Sequence, residues 1–295
     1  MGVALLLYAV TDVGGFGSMG SEMEIEVVQE DSLESPAPDH LVRLYESTLR
    51  AVGAFPELQM RRAKLDEVLR RLEPEEAVWF IDQLVRGALW GRTAEVDALL
   101  ATSSWLIRLR IADEYELLQQ LYVAAHETKR DSILSMLRDF PAHQALGPGV
   151  RLPDTKLPIP REVTLGEKRT LASGQDRRIL ERLIHDNNPL VIEKLMKNPL
   201  IQIQDVIAIA SRRPTLPSLL IPIVMSDSWF IETRIRETLV QNPYVPTGIA
   251  LRVLPTLHTT ILRKLRFSGD LHPEIAEKSK LYVSLREQRT APWGH

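Results

Sequence analysis

The sequence predicts an all-α protein: a helical amino-terminal domain followed by a short solenoid of paired helices. Three observations carry that prediction. Apolar residues recur at three-and-four spacing from Asp39 onward, a proline-rich stretch interrupts the pattern near mid-chain, and a nine-residue motif returns 44 residues later. The 295 residues are 44% hydrophobic and 25% charged, enough apolar material for one or two cores. No cysteine occurs, which excludes cystine scaffolds, thiolate metal sites and cysteine nucleophiles.

Residues 1–38 read as a flexible lead-in. Val3 to Val10 is apolar but too short to span a membrane, and no Lys or Arg precedes Arg43, so a secretory signal lacks its positive start and a cytoplasmic protein is expected. Met19 and Met23 are alternative starts, which would make residues 1–22 a non-native extension. Gly15, Gly17 and Gly20 match the spacing of a dinucleotide-binding turn. The context opposes that reading, because Ser21 to Val28 alternates like a short strand and Pro36 and Pro38 arrive before a helix would fit.

An acidic helical domain is expected over 39–140. Leu41, Leu44, Tyr45, Thr48, Leu49 and Val52 mark one helical face, and Leu58, Leu65, Val68, Leu69 and Leu72 mark the next. Pro74 suits a first helical turn with Glu75 and Glu76 behind it, and Val78 to Trp90 is apolar on several sides, which predicts a central helix. Thr128 to Asp131 reads as a capping box opening the helix of Ile133, Leu134 and Leu137. A linker follows over 141–163, where five of the 20 residues from Pro141 to Pro160 are proline. Thr164 and Glu167 form a second capping box, and short helices continue over 164–288, with 289–295 as a tail.

The repeat lies in that last region. Val191 to Pro199 is echoed by Ile235 to Pro243, and Val206, Ile207 and Ala210 keep the same offset to Ala250, Leu251 and Leu254. Asn198-Pro199 and Asn242-Pro243 have a mechanical reading: Asn accepts left-handed or Asx-turn geometry where a helix ends, and Pro prevents continuation. A period near 44 residues falls within the range of HEAT and armadillo helix pairs.

The stretch from Leu165 to Pro273 carries Asp186-Asn187-Asn188-Pro189, Lys197-Asn198-Pro199, Ala210-Ser211-Arg212-Arg213-Pro214, Ser228-Trp229 and Gln241-Asn242-Pro243-Tyr244-Val245-Pro246. It resembles an uncharacterised bacterial family of HEAT-like proteins and is similar to leucine-rich-repeat-variant units with their Asn-Pro-x-x-Pro turns. The resemblance implies a fold and no activity. It departs from the leucine-rich-repeat-variant pattern in its 44-residue spacing and in having no counterpart to those proteins' cysteine-bound cluster. His272-Pro273 comes only 30 residues after Pro243, as a shortened terminal cap would.

For chemistry, the seven histidines are scattered and no two lie four apart, and neither a phosphate-binding loop nor a serine-hydrolase elbow occurs. No catalytic residue, cofactor or metal ligand is therefore assigned. Arg212, Arg213, Arg234 and Arg236, with Trp229, form the candidate interaction surface, since guanidinium forks bind carboxylates and phosphates. The expected function is a non-enzymatic scaffold or adaptor for an acidic protein partner, and the alternative is nucleic-acid binding by the basic half. Residues 1–160 hold 16 Lys and Arg against 25 Asp and Glu, a net of −9, and 161–295 hold 20 against 14, a net of +6. That opposition would also allow the two halves to face one another.

Overall fold

A computed structural model describes residues 38–290, and the chain divides into two units, Met1–Pro38 and Asp39–His295. The glycine triplet and the alternative starts of the lead-in lie outside the described residues, as does most of the tail. Among the described residues the protein is all-helical. Before the proline-rich stretch come α1 (Asp39–Ala54), α2 (Leu58–Leu69), α3 (Pro74–Leu89), α4 (Thr93–Ile111), α5 (Tyr115–Glu127) and α6 (Asp131–Leu137). After it come α7 (Leu165–Ala172), α8 (Arg177–Leu183), α9 (Pro189–Met196), α10 (Ile203–Ala210), α11 (Pro217–Met225), α12 (Asp227–Phe230) and α13 (Thr233–Val240). The chain continues through α14 (Thr247–Val253), a 3₁₀ turn at Leu254–Thr256, α15 (Thr259–Leu265) and α16 (Pro273–Thr290).

In the first region α3 and α4 are central, as the all-round apolar character of Val78 to Leu89 requires: Val78, Phe80, Ile81 and Leu84 are fully buried. Pro74 opens α3, and Glu73 and Glu76 complete a reciprocal cap. The two helices approach closely at Gly87, where a Cβ would lie 2.5 Å from Cγ of Glu95. Tyr45 of α1 meets Trp79 and Phe80 edge-on at ring separations of 5.9 and 5.0 Å.

The expected capping box at Thr128 is not formed. Thr128 instead closes α5, its hydroxyl donating back to the Ala124 carbonyl at 2.7 Å, and Lys129 takes the left-handed conformation (φ 54°) that turns the chain before α6 begins at Asp131. The box at Thr164 does form: the Glu167 amide donates to the Thr164 hydroxyl at 3.3 Å, and Thr164 N donates to the Glu167 carboxylate at 2.9 Å. The chain does not run as one helix from Asp227 to Val240 but breaks after Phe230, between α12 and α13. Arg236 explains the break, because its guanidinium binds the carbonyls of Phe230 and Ile231, which a continuous helix would pair with amides four residues on.

The Asn-Pro motif does the same structural task twice. Asn198 Nδ2 donates to the carbonyls of Ala172 and Gly174, both at 2.8 Å, while its Oδ1 accepts from Leu200 N at 2.9 Å. Asn242 Nδ2 donates to the carbonyls of Ala210 and Arg212 at 2.7 and 3.1 Å, while its Oδ1 accepts from Tyr244 N at 3.0 Å. Of the two geometries open to these asparagines, the structure uses the Asx turn. Each one ends its own helix and clamps the carboxyl end of an earlier one, α7 for Asn198 and α10 for Asn242. Val191, Leu195 and Ile235 are fully buried and Leu239 is 2% exposed, so both copies of the motif turn their apolar residues into the core.

The helices on either side of the proline-rich stretch pack against one another, with α14 against α4 and α6, and α16 against α3. That stretch is extended, as its prolines require, but its start is a strap rather than a free tether. Gln144 N donates to Pro243 O at 2.9 Å, Thr247 N to Pro141 O at 3.2 Å and Gly248 N to Phe140 O at 3.1 Å. Gly248 is needed there, since a Cβ would sit 2.9 Å from the Arg138 carbonyl oxygen. The charges that join the regions run opposite to the net-charge expectation. Arg62 and Arg108, from the acidic half, both bind Asp227, from the basic half, at 2.5 and 2.9 Å. Net charge describes a whole surface, whereas a contact answers to local complementarity.

Candidate interaction surface

The five residues singled out for binding do not line one groove. Arg236 is 4% exposed, donates to Phe230 O at 2.9 Å, Ile231 O at 2.6 Å and Thr233 Oγ1 at 3.1 Å, and has its pKa pushed down to about 10 by burial. Its expected place on a surface is corrected: the helix break gives the guanidinium two carbonyls to satisfy inside the fold. Arg212 is half-buried and joins the end of α10 to the α8–α9 turn, donating to Asp186 O at 3.0 Å and Asn187 Oδ1 at 2.6 Å. Burial lowers its pKa, with the neighbouring Asp186 opposing the shift. Arg213 is exposed and binds the Gln241 carbonyl at the end of α13. Arg234 is exposed on the first turn of α13.

Trp229 belongs to the four-residue α12, which ends before α13 begins. Its indole donates to Met196 O at 2.9 Å, closing the end of α9, so it is half-buried as a packing and capping residue. Together these contacts form a polar chain. Asn242 holds the Arg212 carbonyl, the Arg212 side chain holds Asn187, and Asn187 Nδ2 donates to Pro153 O at 2.7 Å. Beside it Lys168 pairs with the buried Asp186 at 2.8 Å, and Asp154, Thr155, Val163 and Leu165 border a recess of about 230 Å³.

A basic edge that the sequence reading passed over lies on α7 and α9. Glu193 has its pKa lowered first by the hydrogen bond from Lys197 (2.6 Å), then by the charges of Lys197, Lys194 and Arg169. Lys194 of α9, Lys197 at its end and Arg169 of α7 thus all act on one carboxylate, and Leu190, 42% exposed, lies one turn before Lys194. Lys194 and Lys197 lie inside the repeated motif, where the Asn-Pro turn drew attention instead. Arg169 joins them only through the packing of α7 on α9, which no sequence spacing announces.

The histidines also combine in a way that spacing did not foretell. His143 of the strap and His272 before α16 meet edge-on at 5.9 Å, with Phe140 4.8 Å from His272. His272 Nδ1 accepts from Glu274 N at 3.2 Å and so caps α16. Among the described residues no cluster of three or more His, Asp or Glu has a metal-holding arrangement, and no helix is long and apolar enough to cross a membrane. No family model, curated protein or solved structure matches the chain.

Proposed function

We propose that the protein is a non-enzymatic scaffold whose carboxyl-terminal region is a short HEAT-like solenoid and whose basic edge receives an acidic protein partner. The twice-used asparagine clamp is the observation that carries this reading. By fixing one helix end to another at two places, it makes successive short helices a preformed surface, which lowers the ordering cost of binding. Arg169 and Lys194, with Leu190, supply charge and apolar contact on α7 and α9, while Arg213 and Arg234 do so on the second helix pair. Carboxylates on a partner would find the exposed Arg169, Arg213 and Arg234 and the half-buried Lys194 on a rigid frame, favouring rapid and selective docking.

The test is capture from the source cell after nuclease treatment, with wild-type protein and two charge-reversed variants, Arg169→Glu/Lys194→Glu and Arg213→Glu/Arg234→Glu. A partner held by wild-type and retained at least tenfold less by one variant supports the reading. A partner released by nuclease points to nucleic acid instead, and equal retention by all three proteins removes the basic edge from consideration.

A further inference from the structure

The chain's surplus of carboxylates is concentrated before Asp39. Residues 39–140 hold 17 Asp and Glu against 14 Lys and Arg, and many of these pair with one another: Asp82 receives Arg86 and Arg130, Asp66 and Glu114 receive Arg70, and Asp97 and Glu95 meet Arg61 and Arg92. Residues 1–38 hold seven carboxylates and no cation, so most of the net −9 of residues 1–160 comes from them. Five of the seven, Glu24, Glu26, Glu30, Asp31 and Glu34, fall within 11 residues and are interleaved with Ile25, Val27, Val28 and Leu33. A run of like charge with no counter-charge in its own sequence is the composition of an interaction segment.

The basic edge of α7 and α9 has the reverse imbalance. Lys197 pairs with Glu193 at 2.6 Å, whereas Arg169 and Lys194 act on that carboxylate only from beyond ion-pair distance. Neither has a carboxylate within 4.0 Å among the described residues, so two cations stay uncompensated beside the exposed Leu190. The ion pairs that join the two helical regions, Arg62 and Arg108 on Asp227, draw on other residues and leave this edge unused.

We infer that the basic edge receives the acidic stretch 24–34 of a second copy of this chain. The inference rests on the reading of that edge as a site for acidic protein, and it names the partner. Carboxylates of the stretch would meet Arg169 and Lys194, with its apolar residues against Leu190, so that charge sets orientation and apolar contact adds affinity. Every copy carries both halves of the contact, which makes the association heterologous, one copy's edge taking the next copy's stretch. Any other acidic partner would compete for the same cations, so self-association and partner binding would exclude one another.

The test is sedimentation velocity on the full chain at low and high salt, with a fluorescent peptide of residues 21–35 as a second probe read by anisotropy. Wild-type protein is expected to sediment faster as its concentration rises at low salt, and as a monomer at high salt. Glu24→Lys/Glu26→Lys/Glu30→Lys and Arg169→Glu/Lys194→Glu should each weaken association at least tenfold. The protein carrying both sets should regain it, which a folding defect in either variant would not allow. Wild-type protein that stays monomeric at low salt, or a doubly reversed protein no better than the single ones, would overturn the inference. Peptide binding that Arg169→Glu/Lys194→Glu abolishes, in a chain that does not self-associate, overturns self-recognition alone and keeps the edge as a site for acidic protein. If neither the peptide nor a second copy binds, the reading of the edge fails with it.

Discussion

The two helical regions hold themselves together by different means, and helix length explains why. Among α1 to α5 the helices run from 12 to 19 residues, and α3 and α4 bury apolar side chains on nearly every side. From α7 to α15 none exceeds nine residues. An eight-residue helix leaves half of its amides and half of its carbonyls without partners inside the helix, so its ends matter as much as its face. The second region answers with side chains aimed at those ends, Asn198 on Ala172, Asn242 on Ala210 and Trp229 on Met196, and with Arg177 on Leu200 in the turn between α9 and α10. Arg177 also forks onto Asp205 at 2.6 and 2.7 Å, raising its pKa and lowering that of the aspartate. Long helices can leave their ends to water, whereas short ones packed against one another must satisfy them inside the fold.

The strongest way to break this contrast is Asn242→Ala. Asn242 is 2% exposed, and its loss leaves two carbonyls and the Tyr244 amide without partners, a cost of about 3 kcal/mol. That would rival the removal of a core leucine such as Leu99, about 3 kcal/mol by cavity formation in the first region. Urea denaturation gives the totals, and hydrogen exchange shows where protection is lost. The amides of α10 and α13 should open first in Asn242→Ala, and those of α3 and α4 first in Leu99→Ala. Asn242→Asp should do no better than alanine, because a carboxylate keeps the acceptor for Tyr244 N but cannot donate to the carbonyls. A loss under about 1 kcal/mol would mean that apolar burial alone supports the short helices.

A smaller effect is expected where the regions join. Asp227 receives Arg62 through both oxygens and Arg108 through one, and Arg108 also donates to Met225 O at 2.7 Å. The three side chains are 14 to 26% exposed, so the ion pairs stand between the surface and buried limits, and Asp227→Asn should cost about 2 kcal/mol. The predicted signature is sharper than the size: the variant should lose two-state behaviour, with α11 and α12 melting before α3 and α4. Cooperative unfolding at unchanged midpoint would show that the apolar contacts of α14 and α16 are sufficient to unite the regions.

What the sequence disclosed follows the same division. Periodicity identified α1, α2 and the central place of α3, because an apolar face leaves a direct record in residue spacing, but it did not reveal α4, the longest helix, whose apolar residues are buried on nearly every side. The 44-residue echo located both asparagine clamps, since a repeated local turn needs the same residues each time. The carbonyls they hold lie 26 and 24 residues from Asn198, at 172 and 174, but 32 and 30 residues from Asn242, at 210 and 212, so they share no common offset. The identity of Arg236 said little about its burial, because an arginine one turn after Glu232 reads as a surface pair until the helix break turns it inward. The basic edge was hidden for a related reason: it depends on what packing leaves uncovered, and that is a property of the assembled helices.

The smallest effect sharpens the contrast at a single helix start. Glu167 is held well below the ordinary carboxyl value of 4.5, at about 2, first by the Arg161 guanidinium and then by the Thr164 amide. A depressed pKa means that the folded state binds the proton more weakly than the unfolded state. The cap is therefore fully in force above about pH 4.5 and is lost as pH falls towards about 2. Because Glu167 is open to solvent, the consequence is local: the amides of Glu167 and Lys168, which donate to the Thr164 hydroxyl and carbonyl, should exchange faster through that window. Glu167→Gln cannot titrate, so its exchange at these two amides should lack the extra acid step. If wild-type and variant follow the same pH course, the cap is too weak to order the first turn of α7, and the packing of α7 on α9 must order it instead.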